Sequence, residues 1–326
     1  MTAVTVPYSS LKSQTIPLST LESAFGPSSL GIIIISDLPP SYPSLRSRAL
    51  NFSNTLAHLP PSTLSALERP SAKYSIGWSR GKENLGTGYD ELKGSFYFHP
   101  VQNAALQTKA RDLYPDREEM VSPNIWPASL PGFEESLMTL SNLIVDVAAE
   151  VAKACDRFGQ ENIEGYRPKL VEEWVRGSVA TKARLLHYYP SGGEEWCGSH
   201  KDLGALTGLT AQMWVDESLC HQGEEEAREL DAHPNDPTAG LWIVDRGGRH
   251  VHVDIPRDCL AFQTGEALER VTKGRFKAVP HYVTAGKGGG QIARNTLAVF
   301  TQPNLWENVD GVTFADLATE RLKGTL

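Results

Sequence analysis

The chain has 326 residues, of which 40% are hydrophobic and 21% charged, and a formal net charge of −8. That length is ample for a sizeable core and is compatible with one large domain or two. The acidic balance argues against a general polyanion binder, so no nucleic-acid partner is expected. Cys155, Cys197, Cys220 and Cys259 show no CxxC or zinc-finger spacing. They read as reduced thiols, and a cytoplasmic location is expected. No basic stretch followed by an apolar one suggests a signal peptide, and the aliphatic runs are too short to span a bilayer. The terminal Gly324-Thr325-Leu326 is not a peroxisomal tripeptide.

In chain order, Ile32 to Ile35 is a short aliphatic strand. Tyr42 to Leu59 reads as a helix closed by Pro60-Pro61. Residues 71–99 are rich in glycine, aromatic and charged residues without a clear period, which suggests a structured loop. Phe133 to Phe158 carries Leu137, Leu140, Ile144, Val147 and Val151 at helical spacing. From about Ser178 the pattern becomes strands separated by glycine and proline, interrupted by a polar insertion from Glu217 to Ala239. Helices followed by many short strands predict an α+β, mainly β protein in which helices support a β-barrel. The chain is read as a single catalytic domain, 1–326. Residues 1–130 form an amino-terminal helical and loop region with a substrate lid at 71–99. Residues 131–326 supply the support helix and the barrel core.

Three constellations carry chemistry. Ser199-His200-Lys201-Asp202 sets an imidazole and a carboxylate two residues apart. On a strand they share a face and Lys201 turns away. His281 brings a second imidazole after further strands and a turn. Two histidines and one carboxylate are the set that holds non-haem Fe(II) with positions left open. Ala293 to Phe300 alternates as a strand, with Arg294 and Thr296 on one face and Ala298 and Phe300 in line. A guanidinium beside a hydroxyl suits a buried carboxylate. Thr181 to Pro190 (TKARLLHYYP) is another strand, with His187 and Tyr189 on one face and Arg184 and Tyr188 on the other. A phenol on its inner face would complete the carboxylate site.

In order and spacing these elements resemble the isopenicillin N synthase-like group of Fe(II)/2-oxoglutarate-dependent dioxygenases. Gly31 to Pro61 is similar to that family's amino-terminal strand and helix. Leu185 to Pro190 resembles its N-Y-Y-P strand, His200 to Asp202 its H-T-D, and Arg294 to Thr296 its R-x-S. Gly265 to His281 (GEALERVTKGRFKAVPH) is the most specific match. The resemblance covers nearly the whole chain. It implies a double-stranded β-helix (jelly-roll, cupin-like) core with supporting helices. It implies His200, Asp202 and His281 as iron ligands, and Arg294 and Thr296 on the distal carboxylate of 2-oxoglutarate, with Tyr189 hydrogen-bonded to that cosubstrate. His187 stands where many members have asparagine and becomes a further polar group of the site. The implied activity consumes O2 and 2-oxoglutarate, oxidises a small organic substrate by hydroxylation, desaturation or cyclisation, and releases succinate and CO2.

Other residues have competing readings. Tyr74, Trp78, Arg80 and Lys82 in the 71–99 segment are expected to meet the substrate, which their mix of cations and flat rings suggests is a carboxylate. Gln212 and Trp214, on a strand from Leu209 to Val215, are candidates for pocket wall. His250 and His252 read as exposed histidines of an outer strand, His99 as a packed loop residue, and Trp242 as core. Two alternatives remain at this level. One is an Fe(II)-dependent oxidase that uses no 2-oxoglutarate, with Arg294 on the substrate's own carboxylate. The other is a non-catalytic metabolite-binding barrel.

Overall fold

The computed structural model describes residues 2–83, 89–192, 195–219, 228–287 and 290–323. Its strands are β1 (Val4–Pro7), β2 (Ile32–Ser36), β3 (Gly77–Ser79), β4 (Lys93–Phe98), β5 (Lys182–Tyr188), β6 (Glu195–His200), β7 (Leu206–Thr210), β8 (Met213–Asp216), β9 (Glu229–Leu230), β10 (Gly240–Val244), β11 (His250–Val253), β12 (Leu260–Thr264), β13 (His281–Thr284) and β14 (Ile292–Thr301), followed by a short hairpin. A ten-stranded sheet runs β1-β2-β12-β7-β14-β5-β4-β3, with β8 also on β14 and β9 on β8. A four-stranded sheet runs β11-β10-β13-β6. The pairs are antiparallel except β1 with β2.

Alternation along each strand decides what lies on either face of the large sheet. On β14, Leu297 and Val299 join a core cluster with Leu140 and Ile144 of the helix Phe133–Asn162. Arg294, Thr296 and Ala298 point the other way, into a cavity also lined by Leu241 and Val283 of the small sheet. The two sheets therefore face each other across that cavity. Both faces of β2 are covered, which accounts for its unbroken aliphatic run: Ile33 and Ile35 meet the helical layer, Ile32 and Ile34 the inter-sheet cluster. Gly208 on β7 lets the long helix approach closely, because a Cβ there would lie 2.4 Å from Ile144 Cγ2.

The helices lie close to where their spacing predicts them, at Tyr42–Ala57 and Phe133–Asn162. Three expectations change. Residues 71–99 contribute β3 and β4, which form an edge of the large sheet rather than a loop over it. Their period is hidden because β4 is buried on both faces, Lys93 and Gly94 included. With β1 and β2, four strands from residues 1–130 hydrogen-bond into one sheet with the later strands, so position 130 separates no layers. The run Leu209 to Val215 is two strands broken at Ala211-Gln212. Arg46 holds that break, donating to Ala211 O at 3.2 Å and Gln212 O at 2.7 Å while it pairs with Glu229 at 2.8 Å.

Trp242 is a smaller correction. Leu241 and Ile243 enter the inter-sheet core, while Trp242 sits half-buried on the outer face and stacks on Tyr282. Cys155, Cys197 and Cys259 are free thiols. Cys220 and residues Glu224 to Glu226 of the polar insertion lie outside the described residues, as do residues 84–88 of the segment read as a lid. Among the described residues no helix is long and apolar enough to cross a membrane.

Candidate metal centre and carboxylate site

His200 closes β6 and stands directly opposite His281 at the start of β13. Asp202 lies two residues past the strand end, where the chain turns against the segment from Gly265. Glu266 N donates to Asp202 O at 2.8 Å and Ala267 N to Leu203 O at 3.0 Å. This close approach explains the glycine that opens the 265–281 block, since a Cβ on Gly265 would lie 2.1 Å from Gly204 O.

Asp202 Oδ1 is 3.7 Å from His200 Nε2 and 3.8 Å from His281 Nε2. The three ligand atoms all fall within 4.8 Å of one another. Each ring is fixed from behind: His200 Nδ1 lies 2.8 Å from Gly198 O and His281 Nδ1 3.3 Å from Val279 O. A carbonyl only accepts, so Nδ1 carries a hydrogen in each ring, and in the neutral rings that ligate a metal the Nε2 lone pairs converge beside Asp202. Asp202 Oδ2 in turn accepts from Thr207 Oγ1 at 2.6 Å. Burial pulls the His281 imidazole below its ordinary pKa, against the opposing pull of Asp202. It therefore favours the neutral form that ligates metal. Lys201 lies past the end of β6, so strand alternation does not act on it; it lines a separate groove with Glu266 and Arg321.

Arg294 is on the same cavity wall. Its guanidinium is buried, and neither Nε nor Nη1 has a hydrogen-bond partner. An unsatisfied buried guanidinium is costly. The arrangement asks for a bidentate anion, and a ligand carboxylate supplies one. Tyr188, opposite Arg294 across the β5–β14 ladder, lies under the guanidinium with 5.1 Å between Cζ and the ring centre. Thr296 Oγ1 sits 3.3 Å from Thr210 Oγ1 on the neighbouring strand. The donor set and the unpaired guanidinium together fit a divalent iron ion and a dicarboxylate cosubstrate.

Other sequence candidates fall elsewhere. Tyr189 and His187 lie on the opposite face of β5 from Arg294, because the register places Tyr188, Leu186 and Arg184 inward. Tyr189 donates instead to Ala57 O at 3.1 Å, and His187 meets Asn295 and Glu217. Trp78 is buried in the core beside Gly94. Arg80 stacks on Tyr189 at 3.7 Å. Lys82 pairs with Glu68 and lies over Tyr74. None of these four lines the cavity, so the basis for a carboxylate-bearing substrate falls away. Gln212 reaches Asp254, and Trp214 packs against Trp196 and His233, both away from the cavity. His250 and His252 sit on the outer strand β11, and His99 is packed with Nδ1 3.1 Å from Thr181 O.

Sequence reasoning missed Tyr188, Arg184 and Thr207 as cavity residues. Arg184 faces the cavity while bonding Glu83 Oε1 at 2.8 Å and Ser95 Oγ at 2.8 Å. Glu83 also accepts from Tyr97 OH and Lys93 Nζ. Although burial opposes it, Arg184 and Lys93 hold the Glu83 carboxyl well below the usual carboxylate range. The parity of Arg184 and Tyr188 was a usable signal; the register that chooses between parities was not.

No protein-family profile and no curated protein matches the sequence. Solved structures do match. A full-length Neurospora crassa protein in complex with alpha-KG and thymine has a TM-score of 0.67 at 17% identity, over 99% of this chain and 97% of that one. A Caulobacter crescentus protein, described as belonging to the 2OG-Fe(II) oxygenase family, gives 0.70 at 18% identity over 99% and 100%. The rice dioxygenase for auxin oxidation gives 0.64 at 15% identity over 99% and 95%. End to end, the chain has the fold of the 2OG-Fe(II) oxygenases.

Proposed function

We propose that the protein is a non-haem Fe(II)- and 2-oxoglutarate-dependent oxygenase that oxidises a small organic molecule and releases succinate and CO2. Its two facing sheets are read as a double-stranded β-helix. One observation carries the proposal: a buried guanidinium with two unpartnered nitrogens shares a cavity with a convergent pair of histidines and a carboxylate.

In this reading His200, Asp202 and His281 hold Fe(II). Bound there, the ion supplies the redox chemistry that couples decarboxylation of 2-oxoglutarate by O2 to oxidation of the second substrate. The protein does the rest. Arg294 pairs with the far carboxylate of 2-oxoglutarate, and Thr296 adds a hydroxyl. Tyr188 takes the place next to Arg294 that Tyr189 was expected to fill. Thr207 keeps Asp202 oriented. Leu186, Leu241, Ile255 and Val283 keep the cavity apolar, which strengthens every charge contact inside it. That the Neurospora crassa protein is solved with thymine and with 5-formyluracil supports a small-molecule substrate.

The test is anaerobic titration of metal-free protein with Fe(II) and then 2-oxoglutarate, reading the visible metal-to-ligand charge-transfer band. The band is expected in the wild type, absent in His200→Ala and weakened in Arg294→Ala. Iron binding without a band would leave an oxidase that does not take 2-oxoglutarate. Absence of iron binding would sink the assignment.

A further inference from the structure

We propose that His58, His187 and Glu217 form a second metal site, on the outer face of the large sheet, for a borderline divalent cation such as Zn2+. It goes beyond the oxygenase reading and does not depend on it. The three residues come from separate elements. His58 caps the end of the helix Tyr42–Ala57, His187 is on β5, and Glu217 follows β8.

Glu217 Oε1 lies 3.1 Å from His187 Nε2 and 3.4 Å from His58 Nε2, and the three ligand atoms all lie within 4.8 Å of one another. Ligands held about 2.0–2.2 Å from a tetrahedral ion sit roughly 3.3 Å apart, so two of the three separations already suit a shared ion.

A second observation points the same way. His187 is buried at 1% exposure, and its Nε2 is aimed at the cluster without a hydrogen-bond partner, as is Glu217 Oε1. The pair is close but not aligned for a hydrogen bond. The far nitrogen of each ring is already engaged: His58 Nδ1 is 2.8 Å from Asn54 O and His187 Nδ1 is 2.8 Å from Asn295 Oδ1. With Nδ1 donating, both Nε2 atoms offer lone pairs, which is how ligating histidines are usually held. The His58 side chain is 48% exposed, which gives an ion a way in and leaves a position for water. Three protein ligands with one open position suit Zn2+. Arg80, stacked on Tyr189 beside the cluster, places a positive charge nearby.

Untagged, metal-stripped protein would be titrated with Co2+, whose visible absorption reports tetrahedral nitrogen and oxygen ligation, and the ion then displaced with Zn2+. The double variant His200→Ala/His281→Ala removes the inner site. It is expected to keep a tetrahedral Co2+ spectrum that Zn2+ displaces, and adding His58→Ala or Glu217→Gln is expected to weaken binding at least tenfold. No Co2+ absorption in the double variant, or a spectrum indifferent to His58→Ala, would overturn the proposal. Should the double variant not fold, equilibrium dialysis of wild type against His58→Ala decides. One fewer Zn2+ per chain supports the site and equal counts refute it.

Discussion

Two clusters of the same composition, two histidines and one carboxylate, lie on opposite sides of the large sheet, and what surrounds them separates their chemistry. The inner cluster opens on a cavity with apolar walls and a buried guanidinium, two of whose nitrogens have no hydrogen-bond partner. Each cluster has one half-exposed histidine, His200 inside and His58 outside; the outer one lies at a helix end with Arg80 stacked on Tyr189 beside it and no such guanidinium site among its described neighbours. A ligand set alone therefore states that a cation can be held. It is the neighbouring groups that say whether the cation has a cosubstrate to work on.

The comparison breaks most sharply with His281→Ala, which is expected to reduce succinate formation to background, whereas Glu217→Gln leaves it unchanged. An equal loss in both variants, measured as succinate per enzyme, would mean that the outer cluster also serves turnover. Arg294→Leu comes next. Removing one partner of a buried charge pair costs about 2 kcal/mol or more, so the apparent Kd for 2-oxoglutarate should rise about thirtyfold or more. Calorimetric titration checks this, and an unchanged Kd would remove Arg294 from the cosubstrate site.

Thr207→Val sharpens the comparison further. Asp202 keeps its carboxylate but loses the 2.6 Å hydroxyl contact. Loss of such an orienting bond lowers metal affinity about 10–100-fold, so Fe(II) affinity should fall while Zn2+ at the outer cluster is untouched.

His99 supplies the baseline of a buried imidazole whose Nδ1 meets a backbone carbonyl, Thr181 O, rather than a carboxylate among the described residues. Burial, helped by Lys182, pushes it down to about 3. The unfolded chain then binds a proton that the native state refuses. The contribution to stability is thus full above the ordinary histidine pKa and declines as pH falls toward about 3, by at most about 1.4 kcal/mol per pH unit. His99→Gln should flatten the denaturation midpoint between those limits and leave neutral pH almost unaffected; an unchanged slope in urea melts would show that His99 does not titrate this way.

How much of this could be read from the chain depends on how local the cause is. His200, Asp202 and the Gly265–His281 run were legible because a strand end, a turn and a close backbone approach fix them within short segments. Arg294 and Thr296 were legible because alternation on β14 is unbroken. Tyr188 was not, since choosing it over Tyr189 needs the β5–β14 register, and a slip of one residue exchanges the faces. β3 and β4 escaped because burial on both sides erases the polar half of the pattern. The outer cluster was invisible: His58 ends a helix, Glu217 begins what reads as a polar insertion, and only packing brings them to His187.

The position of β2 has a consequence for how the molecule is made. Ile33 pairs with Phe262, roughly 230 residues later in the chain, and such distant pairing is a slow step in folding. A ribosome that has released β2 must synthesise most of the remaining chain before its partner emerges. Until then a strand of four consecutive isoleucines has an unpaired edge, which is the kind of segment that invites association between nascent chains.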